Sequence, residues 1–184
     1  MGAVTERGQL EQILALQRQN LAPRLPPEVV QSQGFVTAEH DLDTLEQMHD
    51  LAPSIVAKAN DQVVGYALTM VVEAKRYVPI LTPMFGSFET LQWRGRRLTA
   101  IPFYVMGQVC VAPAYRGQGV FDALYRGHAA SYADRFELLV TEIATRNTRS
   151  LRAHERVGFQ PLHCYRDSVD EWLIVAWDWT LPRR

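Results

Sequence analysis

The sequence predicts an α/β (α+β) domain with at least one parallel crossover, and three observations carry that prediction. The C-terminal half alternates buried-strand runs with amphipathic helical runs, in the order strand, helix, strand, helix, strand. Ahead of it, two apolar runs are split by Asn60-Asp61, a turn-prone pair that folds two strands into a hairpin. The 184 residues contain no internal repeat and no low-complexity tract, which fits one domain spanning 1–184.

The elements follow in order. Residues 6–20 set Leu10, Ile13, Leu14 and Leu16 among Glu and Gln at helical spacing, and Pro23, Pro26 and Pro27 close that helix. A short helix is predicted from Asp43 to His49, then strands over 54–59 and 62–73. Residues 74–101 carry Tyr77, Phe85, Phe88, Trp93 and the basic run Arg94-Gly-Arg-Arg97, but no clean periodicity. A stretch that long reads either as an irregular surface hairpin or as a functional lid. From Pro102 the pattern sharpens into a buried strand over 104–112, a helix over 117–132, a strand over 136–144 and a helix over 147–157. Gly158 stops that last helix as a left-handed C-cap, and closing strands follow over 162–166 and 171–180.

Composition narrows the function classes. With 19 Lys and Arg against 20 Asp and Glu, the net charge of −1 argues against nucleic acid as the main partner, since polyanion binders carry a basic excess. The two cysteines, Cys110 and Cys164, sit in apolar strand-like runs without disulfide or zinc spacing, so a reduced setting is expected and no metal. No apolar run approaches the ~18–20 residues of a membrane span, and the first residues lack a signal-peptide core. The expectation is a soluble, cytoplasmic protein with no membrane partner.

The segment richest in chemistry is Val109-Cys-Val-Ala-Pro-Ala-Tyr-Arg-Gly-Gln-Gly-Val-Phe121, a strand running into a Gly-containing turn and then a helix. A helix start leaves several backbone N–H groups without intrahelical acceptors and carries about half a positive charge, so it attracts phosphate oxygens. Gly117 and Gly119 permit close backbone approach and Arg116 offers a charged fork. The run is neither Gly-x-Gly-x-x-Gly nor a P-loop.

This turn resembles the pyrophosphate loop of the GNAT acyl-CoA-dependent N-acetyltransferases, whose pattern is Gln/Arg-x-x-Gly-x-Gly/Ala after a strand ending Val-x-Pro, here Val111-Ala112-Pro113. A second block, Asn147-Thr-Arg-Ser-Leu-Arg-Ala-His154-Glu-Arg-Val-Gly-Phe159, is similar to the family's Asn-x-x-Ala/Ser-x-x-x-Tyr-Glu-Lys-x-Gly-Phe. With the hairpin, the resemblance covers about residues 52–180. It implies the GNAT fold: a mixed, mostly antiparallel central sheet whose middle strands splay apart, with helices on both faces.

The resemblance further implies acetyl-CoA as co-substrate and a small-molecule, amino-acid or peptide amine as acceptor. Pantetheine is expected along the backbone of Val109, Cys110 and Val111, the pyrophosphate on Arg116, Gly117, Gln118, Gly119, Val120, Phe121 and Asp122, and Asn147 toward the cofactor arm. Phe121 departs from the small residue that ends the family's loop. His154 stands where many members place a tyrosine that protonates the departing thiolate, and an imidazolium has a pKa suited to that task. A packing histidine is the competing reading.

Glu142 lies five residues before Asn147 and twelve before His154, in phase with Phe136, Leu138 and Val140. Its position resembles that of the general base in the ribosomal-protein alanine acetyltransferase branch, and partial burial would raise its pKa. The alternative is a solvated strand-end carboxylate paired with Arg146 or Arg149.

The remaining candidates read more simply. His40 and His49, beside Asp41, Asp43, Glu46 and Asp50, fit a capped helix with a solvated face better than a metal site. The stripe Phe121, Leu124, Tyr125, His128 and Tyr132 reads as core, and Cys110 as a packing thiol. Arg94, Arg96 and Arg97 hint at a carboxylate on the acceptor. The apolar Trp172–Trp179 run is a candidate dimer strand. A non-catalytic acyl-CoA sensor and a binder of another nucleotide are the rival functions.

Overall fold

The protein is described by a computed structural model covering residues 1–181. The N-terminal third holds strand β1 (Gly2–Ala3) and helices α1 (Arg7–Asn20), α2 (Pro27–Gln33) and α3 (Leu42–Leu51). The hairpin β2 (Ile55–Ala59) and β3 (Gln62–Met70) leads into helix α4 (Thr82–Phe88) and the short strands β4 (Gln92–Trp93) and β5 (Arg96–Arg97). Then come β6 (Phe103–Val111), α5 (Val120–Tyr132), β7 (Leu138–Ala144), α6 (Thr148–Val157), β8 (Gln160–Arg166) and β9 (Glu171–Asp178).

Seven strands form one sheet in the order β1-β2-β3-β6-β7-β9-β8, antiparallel at every junction except β6 with β7. That single parallel junction is made at three positions only, Phe103 with Leu138, Tyr104 with Leu139 and Val105 with Val140. Beyond it the strands part. Thr141 Oγ1 donates to the Met106 carbonyl at 2.9 Å where the ladder ends. On its other side β6 stays paired with β3 as far as Val111, through an irregular register between Ala67 and Thr69.

Each face of the sheet has its own core. Alternate strand residues Tyr66, Leu68, Val105 and Val140 pack under Leu10, Ile13, Leu45, Met48 and Met84 from α1, α3 and α4. On the other face Ala67, Tyr104, Met106, Leu139 and Ile143 pack under Leu124, Tyr125, Tyr132 and Phe159. Each fully buried aliphatic or aromatic side chain contributes about 1.5–3 kcal/mol through lost apolar surface, so the two layers anchor the strands on either side of the opening.

Several sequence expectations shift. Pro26 and Pro27 end nothing; they start α2, where a missing N–H costs no hydrogen bond. The strand expected to reach residue 73 stops at Met70, and Val72–Tyr77 is a 3-10 turn. The helix expected from residue 117 starts at Val120, because Gly117 and Gly119 adopt left-handed φ of 74° and 77°. Strand β7 starts at Leu138, β8 already at Gln160, and β9 stops at Asp178, whose carboxylate accepts from the Thr180 amide. The segment 74–101 is neither a loose lid nor a surface hairpin alone. It is a packed cap whose Met84, Phe88, Trp93 and Leu98 are buried, with Trp93 Nε1 donating to Asp178 at 2.8 Å. Its pieces are too short and too irregular to leave a period in the sequence. The proposed dimer strand fails on topology: β9 lies between β7 and β8 and has no free edge. Among the described residues no helix is long and apolar enough to cross a membrane.

Gly158 ends α6 at φ 121°, and a Cβ there would lie 2.9 Å from Trp177 Nε1. Gly158→Ala is expected to destabilise the fold by about 1–3 kcal/mol, from the disfavoured backbone and the collision together. Urea unfolding checks this; an unchanged midpoint would mean that α6 and β9 adjust freely at this corner.

Candidate active site

Beside the C-terminal end of β6 lies a cleft of about 760 Å³, within the range of small-ligand sites. Val109, Cys110 and Val111 form one wall, the turn from Tyr115 to Asp122 closes one end, and α6 from Asn147 to Arg156 forms the other wall. No side chain caps the start of α5, so its first N–H groups face the cleft as an anion site. The residues therefore fit a bound phosphate-bearing co-substrate. At Gly117 and Gly119 a Cβ would meet nothing within 4 Å, so it is the positive φ that requires glycine there.

Other expected cofactor residues are differently employed. Arg116 spends its guanidinium on protein acceptors: Nε donates to the Val111 carbonyl at 3.0 Å, and its terminal nitrogens to Asn20 Oδ1 at 2.6 Å and the Gln33 carbonyl at 3.3 Å. It ties the turn to α1 and α2 instead of forking a phosphate. The Gln118 side chain is exposed and donates to the Ala114 carbonyl, leaving its backbone as the part that shapes the turn. Asp122 is neutralised by Arg156 at 2.8 Å. Phe121 turns its ring toward Tyr125 and His154, at centroid distances of 5.0 and 5.1 Å, so its size is absorbed by packing. Burial pushes the Cys110 thiol up to about 12, as a packing role requires.

Asn147 caps α6, its Oδ1 accepting from Ser150 N at 3.2 Å while Nδ2 donates to the Phe35 carbonyl at 3.2 Å. The same side chain thus starts the helix and holds a strap, residues 31–38, across the opening. Arg149 adds a hydrogen bond to Gln33 Oε1 at 2.6 Å, and Arg146 stacks 4.4 Å above the Phe35 ring.

His154 is buried. Nδ1 lies 2.8 Å from the Ser150 carbonyl, which can only accept, so the proton is on Nδ1 and Nε2 accepts from the Tyr125 hydroxyl at 2.6 Å. Burial pulls its pKa down to about 4, so the imidazole is neutral and has no free proton. The imidazolium donor expected from the sequence does not fit this environment. Ser150 does reach the site, and its hydroxyl is 3.3 Å from the imidazole.

Glu142 opens onto a second, smaller chamber of about 90 Å³ that shares Phe35, Val36, Val109, Asn147 and Ser150 with the large cleft. Its Oε2 accepts from the Tyr165 hydroxyl at 2.5 Å, and among the described residues nothing hydrogen-bonds Oε1. Burial pushes the carboxyl up to about 7, while the Tyr165 hydrogen bond pulls the other way. The ion-pair alternatives are taken: Arg146 pairs with Asp170 and Arg149 with Gln33. Tyr165 was not singled out by the sequence, where it stands 23 residues from Glu142; only the insertion of β9 between β7 and β8 brings them together. Trp172 was read only as part of a dimer strand, and Phe35, which Asn147 holds at the opening, lies 112 residues away from that partner in sequence.

Arg94 and Arg96 are elsewhere. They pair with Asp178 and Glu137 at the start of β7, the closed end of the sheet, so they do not serve an acceptor carboxylate. His40 is a buried histidine beside Gln17, not a ligand, and among the described residues no three His, Cys, Asp or Glu side chains group as a metal site needs.

The sequence profile of the acetyltransferase (GNAT) family matches residues 21–159. The chain belongs to that family. No curated protein matches significantly in sequence. Among solved structures, this acetyltransferase resembles the ribosomal-protein-S18-alanine N-acetyltransferase of Escherichia coli, at 14% identity and TM-score 0.64 over 96% of this chain and 91% of that one. It also resembles yncA of Salmonella typhimurium, solved with its cofactor acetyl-CoA, at 15% identity and TM-score 0.58 over 95% and 90%. A spermidine N-acetyltransferase chimera from Vibrio cholerae and human sequences gives 14% and 0.59 over 97% and 95%. These likenesses establish the fold, a mostly antiparallel sheet with helices on both faces.

Buried histidines, of which only His154 lines the site, set a pH dependence of stability for the acetyltransferase. His40, His128 and His154 are each pulled from 6.5 to about 4 by burial, so below pH 6.5 the unfolded chain binds more protons and folding stability falls. Glu142, raised from 4.5 to about 7, holds its proton in the folded state and offsets part of that loss. Each net proton is worth about 1.4 kcal/mol per pH unit. Urea unfolding is expected to show stability declining from pH 6.5 toward pH 4, and more steeply in Glu142→Gln; a flat profile would contradict the neutral burial of the histidines.

Proposed function

We propose that this acetyltransferase moves an acetyl group from acetyl-CoA to a primary amine by direct attack, with both substrates bound at once. The observation that carries the reading is the shared wall between the large cleft and the chamber of Glu142, which puts a carboxylate with one free oxygen beside the strand edge where a thioester is expected. Acetyl-CoA supplies an activated acyl group. The exposed edge of β6 from Gly107 to Val111 holds the pantetheine as an added strand would be held, and the start of α5 holds the phosphates.

Glu142 is the base in this reading. Its free Oε1 takes a proton from the incoming ammonium, and its raised pKa suits exchange near neutrality. Tyr165 keeps its own proton, because burial and the adjacent carboxylate push the phenol above its usual range, and so it orients Glu142 as a donor. In place of His154, the Ser150 hydroxyl, 3.3 Å from the imidazole and lining both cavities, hydrogen-bonds the leaving thiolate in this reading. Alignment of amine and thioester supplies most of the rate, and proton transfer adds typically ~10²–10⁴-fold.

Glu142→Gln is therefore expected to lower kcat by roughly 10²–10⁴ with little change in acetyl-CoA affinity, measured by thiol release and titration calorimetry. In the native enzyme the rate should rise with pH through about 7, and Tyr165→Phe should move that limb upward, since its hydrogen bond favours the carboxylate. Native kinetics in Glu142→Gln across pH 6–9 would remove the base. Gly119→Glu, which adds bulk, charge and a disfavoured backbone at φ 77°, is expected to abolish acetyl-CoA binding in calorimetry. Binding retained in that variant would place the phosphates elsewhere.

A further inference from the structure

The chamber around Glu142 has a lining that bears on which amine it takes. Leu81 and Met84 come from the cap, Val105 and Met106 from β6, Phe35 from the strap and Trp172 from β9. No Lys or Arg lines it, and Glu142 is its one carboxylate. Its other polar side chains are mostly spent. Gln108 donates to the Ala38 carbonyl and accepts from Tyr66 and Gln17, Thr141 donates to Met106, and Asn147 and His154 are committed as described. Arg146, above the Phe35 ring, is neutralised by Asp170.

We propose that the chamber selects an amine carried on an uncharged, apolar carbon body, an alkylamine or arylalkylamine, and rejects an α-amino acid. The proposal rests on the reading of Glu142 as the base. An α-carboxylate entering with the amine would lose its water, find no cation, since the lining groups still able to donate, such as the Ser150 hydroxyl and Trp172 Nε1, are neutral, and lie beside the negative charge of Glu142. An unpaired buried charge of that kind is strongly unfavourable. The first apolar carbons of an alkylamine meet Leu81, Met84, Phe35 and Trp172 instead. At about 90 Å³ the chamber is smaller than the ~150 Å³ void that encloses benzene, so it holds the amine and the first carbons. Selection is thus made at the carbons next to nitrogen, where an amino acid carries its charge.

The test is thiol release from acetyl-CoA with the full chain and four acceptors: phenethylamine, phenylalanine, an alanyl tripeptide and spermidine. Phenethylamine and phenylalanine share one body and differ by the carboxylate. The expected kcat/KM for phenethylamine exceeds that for phenylalanine by at least about 100-fold, as for a site that leaves a buried polar group unpaired. Phenylalanine turned over as well as phenethylamine overturns the proposal, as does turnover of the tripeptide or spermidine without phenethylamine. In either case the transferase reading stands. No turnover of any of the four, by protein that binds acetyl-CoA in calorimetry, overturns the transfer reading and this selection together.

Discussion

The site exists because one parallel ladder stops after three residue pairs. Where Val105 and Val140 end the pairing of β6 with β7, the Thr141 hydroxyl takes the Met106 carbonyl, and the next backbone groups of β6 are left facing an opening. An interrupted ladder in the middle of a sheet forfeits hydrogen bonds that a continuous one would make, and exposed strand edges are templates for a further strand. In the proposed function, that unsatisfied edge is the one the pantetheine arm completes. Both hydrophobic layers take side chains from β6 and from β7, so each strand is packed against helices on its two faces and neither can slide without opening a void.

Around the opening, polar side chains fix backbone more than they offer themselves to ligands. Gln108 joins Gln17, Tyr66 and the Ala38 carbonyl beside the irregular stretch of β6, which locks α1 and the strap residues to the strand. Arg116, Asn147 and Arg149 clamp the strap from the other side. Buried networks of this kind are stabilising when every member is satisfied, and they set geometry tightly. The consequence for chemistry is that few groups remain free at the junction: the α5 amides, the Ser150 hydroxyl and one oxygen of Glu142.

The glycine turn before α5 and the α6 block were legible because both are local. Gly117, Gly119 and the strand-to-helix switch are consecutive, and their backbone requirement shows in residue type. Glu142 was found from strand phase with Leu138 and Val140, and that phase holds. The charge states were not legible. His154 presents the right spacing for an acid, but its burial and its two hydrogen bonds make it neutral, and both come from α5 and the α6 turn packing around it. Arg94 and Arg96 sit in a basic run that suggests a ligand, yet the closed end of the sheet supplies Asp178 and Glu137 to neutralise them.

The sequence by itself determined the alternation of strands and helices, the glycine turn before α5 with its two left-handed residues, and the family those features belong to. These depend on periodicity and backbone conformation within a few residues of one another. Tertiary structure alone decided that the irregular segment 74–101 is a packed cap lending Leu81 and Met84 to the chamber, and that β9 is interior. It alone decided that Tyr165 reaches Glu142 and that the imidazole of His154 is neutral. Those outcomes turn on which surfaces are buried and which charges meet across long sequence separations, and a linear pattern carries no record of either.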